Sequence, residues 1–68
     1  MKVLVKGKVR FEREAPKEVI ELSSPWVVME VSGGKLTVLD GEAYEVTEEE
    51  GKLKVIRELK KGDKVEVK

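Results

Sequence analysis

The sequence predicts an all-β fold, a small antiparallel barrel or sandwich, on three observations. Apolar and charged residues alternate along most of the chain, as in Lys64-Val65-Glu66-Val67-Lys68, and a period of two is that of a half-buried strand. Turn signals recur between the alternating runs, at Gly33-Gly34, Asp40-Gly41, Gly51 and Gly62-Asp63. Successive runs can also be laid antiparallel so that apolar residues meet apolar ones and opposite charges meet.

Taken in order, the first elements are strands over Lys2–Lys6 and Lys8–Glu14. Gly7 between them either turns a tight hairpin, setting Val3 against Phe11 and Lys2 against Glu12, or marks a bulge in one long strand. Ala15–Ser24 has two readings: Pro16 opens a short helical turn, or Val19–Leu22 is a strand ended by Ser23-Ser24-Pro25. Further strands are expected at Trp26–Ser32, Lys35–Val38, Glu42–Thr47, Lys52–Leu59 and Lys64–Lys68.

Register follows from burial and charge together, because a slip of one residue puts every side chain on the wrong face. A two-residue Gly33-Gly34 turn pairs Val31 with Leu36 and Met29 with Val38. A three-residue loop Leu39-Asp40-Gly41 pairs Leu36 with Tyr44 and Lys35 with Glu45. A four-residue loop Glu48–Gly51 then gives Val46 with Leu53, Tyr44 with Val55, Glu45 with Lys54 and Glu42 with Arg57, and a Lys60–Gly62 loop gives Val55 with Val67 and Glu58 with Lys64. Residues 26–68 therefore read as a five-stranded meander, closed or covered by the N-terminal strand or strands.

Sixty-eight residues make one domain, 1–68. With 14 Lys+Arg against 14 Asp+Glu, no net charge draws the chain to nucleic acid or an anionic membrane. The apolar runs, such as Trp26 to Met29, are too short to span a bilayer. Lys2, Lys6, Lys8 and Arg10 interrupt any secretory signal, and no cysteine staples the chain, so a cytoplasmic location is expected. Asn, Gln, Cys and His are all missing and 41% of the residues are charged, the bias of thermophilic proteins.

No catalytic, cofactor-binding or metal-binding residues are expected. Without Cys or His, a nucleophile would have to be Ser23, Ser24, Thr37 or Thr47, and nothing in their spacing supplies an activating base. Glu48-Glu49-Glu50 is the densest carboxylate run and reads as a solvated turn, since neighbours on a tight loop diverge. None of the glycines lies in a phosphate-binding context between a strand and a helix.

Two surfaces carry the functional expectations. In the register above Val27, Met29 and Val31 face the core, so Trp26 and Val28 point the other way, joined by Ala43, Ile56 and Leu4. That second face is covered by the Ala15–Leu22 segment or left as an interaction patch. Trp26, Val28 and Ile56 are therefore the candidate interaction residues, and a protein-interaction or self-associating module is the leading reading, with another protein or a second copy as partner.

The alternative is weak single-stranded nucleic-acid binding. Residues 1–10 carry four basic groups and no acidic ones, and residues 51–68 carry seven basic against three acidic. If the first strand paired with the last, Lys2, Lys6, Lys8, Arg10, Lys60, Lys61, Lys64 and Lys68 would share one edge, with Trp26 or Phe11 as a stacking platform. Against it, only 4% of residues are aromatic, and lysines on a strand edge also serve to block aggregation.

The stretch Gly34–Val67, with Lys-Leu-Thr-Val-Leu-Asp-Gly-Glu and the terminal Leu-Lys-Lys-Gly-Asp-Lys-Val, resembles hairpin runs of cupin-type jelly rolls. Cupin metal ligands are mainly histidines and this chain has none, so the resemblance implies no cupin activity.

Overall fold

Met1 and Arg13 lie at opposite ends of the first strand, yet both hydrogen-bond to the same short segment. The Met1 terminal amine donates to the Val31 carbonyl at 2.7 Å, and Arg13 Nε donates to the Ser32 carbonyl at 3.3 Å. Twelve residues of straight strand would span roughly 40 Å, more than the 34 Å longest dimension of the molecule. The strand is therefore sharply bent, and the whole fold follows from that bend.

The computed structural model describes residues 1–68 and consists of β1 (Lys2–Glu14), β2 (Lys17–Glu30), β3 (Gly34–Glu49), β4 (Lys52–Lys60) and β5 (Lys64–Val67). All five are antiparallel members of one open sheet in the order β2-β1-β3-β4, and β5 pairs with the first residues of β3. β4 takes the other half of β3, from Glu42 to Glu49. β4 and β5 thus follow one another along a single bent edge, and Lys61–Asp63 crosses the corner between them.

Glycine makes the corner possible. Gly7 of β1 stands opposite Gly41 of β3, with φ of +137° and +71°. A β-carbon on Gly7 would run into the Asp40 carbonyl and lie 2.8 Å from Gly41 Cα, so the two backbones touch where a side chain would hold them apart. Each pairing of β1 slips register beside this point, between Val5 and Gly7 against β2 and between Lys8 and Val9 against β3. Such irregularities add the local twist and bend that let a strand turn a corner.

The bend folds the sheet over its own inner face. Val3, Val5, Val9 and Phe11 of β1 meet Leu36, Val38 and Ala43 of β3, Leu59 of β4, and Val65 and Val67 of β5. Every buried residue is hydrophobic. Met29, Val27 and Leu22 of β2 sit opposite Val3, Val5 and Val9 and line the same face, half-buried.

The all-β class holds, and the sheet is open rather than a closed barrel. The pairing differs from the expected meander. Gly7 marks an irregularity in one long strand, not a hairpin. Of the two readings of Ala15–Ser24 the strand holds for Val19–Leu22 and the helical turn does not, but Ser23-Ser24-Pro25 does not end the strand: β2 runs unbroken from Lys17 to Glu30. Gly33-Gly34 does not pair β2 with β3. β1 lies between them, so Met29 faces Val3, while Leu36 faces Phe11 and Val65.

Asp40-Gly41 is not a hairpin turn either. It is the bend within β3, so Tyr44 stands opposite Leu4 and Glu58, and Glu45 opposite Val3 and Arg57. The β3–β4 hairpin exists, with a two-residue turn. Glu50 and Gly51 both take positive φ, 53° and 77°, as a tight primed turn demands. Val46 thereby meets Val55 rather than Leu53, and Glu48 meets Leu53. β4 and β5 do not pair, so Val55–Val67 and Glu58–Lys64 are not neighbours in the sheet.

Candidate interaction surface

Alternation from the buried odd residues of β1 places Lys2, Leu4, Lys6, Lys8 and Arg10 on the outer face. Register then builds the rows across it. Val28, Leu4, Tyr44 and Glu58 form one row, and Glu30, Lys2, Val46 and Val55 form the next. Val46 is only 3% exposed although it stands outside the main core cluster. Leu4, Val46, Tyr44 and Val28 thus make a small second apolar layer on the outside of the sheet.

Neighbouring side chains within the sheet bury Val46, whereas Trp26 and Val28 at the β2 side of this face stay exposed. The Ala15–Leu22 segment expected as one candidate cover is the beginning of β2, inside the same sheet. Trp26 is 59% exposed and Val28 is 44% exposed. Lys6 Nζ sits 5.2 Å from the centroid of the Trp26 ring, which shields one ring face and adds a cation–π contact. Ala43, expected on this side, is buried in the core opposite Val5 and Leu59.

Ile56 is placed by an irregularity that periodicity does not reveal. Glu45 pairs with Arg57 and Val46 with Val55, so Ile56 is the extra residue of a bulge in β4, 57% exposed. It lies on the far edge from Trp26 and Val28, with β1 and β3 between, so the three candidate residues do not form one patch. The exposed large hydrophobics that sequence reasoning did not single out are Val19 and Ile20 on β2 and Leu53 and Val55 on β4. Alternation assigned Val55 to a core that the displaced pairing leaves open.

The basic residues are likewise dispersed. β1 pairs with β2 and β3, not with β5, so the shared basic edge does not form. Lys6 stands opposite Glu42, and Glu42 opposite Lys60. Lys8 stands opposite Asp40, and Arg10 opposite Glu21. Arg10 Nε also lies 3.0 Å from the Glu12 carboxylate, an ion pair whose geometry falls short of a hydrogen bond. Thr37 separates Arg10 from Lys64, while Lys61 belongs to the corner turn. The result is a surface of mixed sign.

Lys2 is tied most firmly, donating to Glu48 at 2.8 Å. That hydrogen bond and the opposite charge raise the Lys2 pKa and hold the Glu48 carboxyl below the usual carboxylate range. The Tyr44 hydroxyl donates to Glu42, and the bond raises the phenol's pKa.

No group of three acidic side chains converges as a metal site would require. The Glu48-Glu49-Glu50 run is spread along the β3 end and its turn, Glu48 engaged with Lys2 and Glu49 opposite Lys52. Each depression in the surface has a single hydrophobic residue in its lining, Val67, Leu53 or Val19. Small-ligand pockets are lined mostly by apolar side chains, whereas most of the residues lining these depressions are charged.

Fold and surface together describe a small open-edged β-sheet protein whose distinguishing feature is exposed apolar surface. No protein-family model matches the chain, and no curated protein or solved structure is significantly similar to it.

Proposed function

We propose that the chain is a non-catalytic protein-interaction module of a thermophilic, cytoplasmic protein. One observation carries the reading. The large exposed hydrophobic side chains are Val19, Ile20, Trp26, Val28, Leu53, Val55 and Ile56, and every one lies on β2 or β4. Those strands form the two outer edges of the open sheet. Exposed apolar residues scattered at random would need no explanation, but apolar side chains gathered on unpaired strand edges offer both hydrophobic area and backbone hydrogen-bonding groups to another chain. The amino-acid composition supports the thermophilic setting.

A photoreactive side chain in place of Val28 tests the reading in the native cell. It should cross-link to a polypeptide, while the same group in place of Glu66, on the outer face of β5, should not. Adducts with water alone at Val28 would refute an interaction surface there.

A further inference from the structure

We infer that two copies of this chain join through β2, Trp26–Glu30 of one pairing antiparallel with Trp26–Glu30 of the other about a two-fold axis at Val28. The backbone leaves this edge open in a defined phase. Met1 and Val31 exchange both hydrogen bonds, the Val31 amide donating to the Met1 carbonyl at 2.9 Å and the Met1 amine to the Val31 carbonyl at 2.7 Å. Bonded and non-bonded pairs alternate along an antiparallel ladder. Register is regular from Lys2 to Val5, so Val3–Met29 and Val5–Val27 are bonded pairs. The N–H and C=O of Val28 and Glu30, and the Trp26 C=O, therefore point away from β1, and β2 has no neighbour on that side.

Native sheets protect such edges with lysine, proline or a bulge. β4 carries Lys52, Lys54, Arg57 and Lys60 together with the bulge at Ile56, and the earlier half of β2 carries Lys17, Glu18, Glu21 and Pro25. Between Trp26 and Glu30 none of these devices appears, and Glu30 is the one charged residue.

Rotation about an axis perpendicular to the sheet makes the second β2 antiparallel to the first and keeps both core sides on the same side. With Val28 on Val28, Val27 of each copy meets Met29 of the other on the core side. Both residues are half-buried against the core of their own chain, so the two cores become continuous across the seam. On the outer side the row Tyr44, Leu4, Val28 runs on into the same row of the second copy, reversed. Trp26 of each copy meets Glu30 of the other, which brings that carboxylate beside the ring over which Lys6 sits. Opposite charges thus approach across the seam, while the two Glu30 carboxylates stay at opposite ends of the paired segment. The Val28 N–H donates to the Val28 C=O across the axis, and the Glu30 N–H to the Trp26 C=O, each in both directions.

Neighbouring registers that keep the faces matched are poorer. Centring on Val27 brings the irregular step at Pro25 into the ladder, opposite Met29. Centring on Met29 sets Glu30 on Val28, beside the apolar Leu4 row and away from Lys6. The contact is isologous and closes as a dimer. Five residues from each copy make a small interface, in the class below about 1,200 Å² that serves weak and transient associations.

The dimer rests on the interaction reading above, and the two fail separately. Sedimentation of the wild type should show monomer and dimer exchanging with concentration, and the Val28 and Glu30 amide protons should exchange more slowly at about 1 mM than at about 10 µM. Val28→Lys sets like charges face to face at the axis and should weaken the dimer at least about tenfold. Val28→Pro removes an N–H that points away from β1, so the monomer should fold and not pair. Because the chain has no cysteine, Val28→Cys should give a disulfide-linked dimer under mild oxidation, since the Cα atoms of a bonded pair lie about 5.5 Å apart. Val19→Cys, on the same strand and as exposed, should not.

A wild type that stays monomeric at about 1 mM would overturn the dimer. So would a dimer that Val28→Lys and Val28→Pro leave unchanged, or one that Val19→Cys links as readily as Val28→Cys. If a photoreactive group at Val28 then still captured another polypeptide, the interaction reading would stand with a different partner; if it captured none, both would fall.

Discussion

Replacing Gly7 with alanine is the sharpest test of the bent sheet. At φ +137° an L-residue is strained whatever surrounds it, and holding a residue in such a region costs about 1–3 kcal/mol. The new methyl would also collide with the Asp40 carbonyl and the Gly41 backbone, neither of which is a side chain that can swing aside. Forcing extra volume into such a space costs about 1–3 kcal/mol more. The sum, roughly 2–6 kcal/mol, is comparable with the 3–10 kcal/mol or so that a 68-residue domain possesses in total.

Urea titration and thermal melting should therefore find Gly7→Ala unfolded at room temperature or melting at least about 10 °C lower. Gly51→Ala separates the two contributions. Gly51 also has positive φ, 77°, but an added β-carbon there meets no atom within 4 Å. Its cost should be only about 1–2 kcal/mol, that of the left-handed conformation. If Gly7→Ala melted no lower than Gly51→Ala, the close approach of β1 and β3 would be wrong, and with it the corner that folds the sheet over its core.

Two further outcomes follow from the geometry. Phe11 is 1% exposed and is the largest of the fully buried side chains, so Phe11→Ala should cost about 3–5 kcal/mol in urea titration; a loss below 1 kcal/mol would mean that the inner face is not the core. The Glu48 carboxyl should titrate by NMR below its ordinary value of 4.5 and return to it in Lys2→Met. The ion pair's contribution to folding should be present above that ordinary value, fade as the pH falls through the lowered Glu48 pKa, and fade again as it rises through the raised Lys2 pKa, above 10.5. An unchanged Glu48 titration in Lys2→Met would remove the pair as the cause.

Sequence alone determined the local state of the chain. The alternation of Val3, Val5, Val9 and Phe11 marked one face of β1 correctly on both sides of Gly7, because side-chain direction in a strand is set by period and needs no knowledge of the partner. The outward direction of Trp26 and Val28 was legible for the same reason, and so was the turn near Gly51. Partner choice was not legible. Asp40-Gly41 carries a strong hairpin signal, yet it lies within β3 because Gly7, far away in sequence, needs a neighbour there without a side chain. The run of valines flanked by Lys and Glu satisfies charge and burial in several pairings at once, so matching within nearby strands could not exclude insertion of β1 between β2 and β3. Only the bend, which brings both ends of β1 to Val31 and Ser32, decides which strands are neighbours, which edges stay open, and hence which hydrophobic side chains are left facing water.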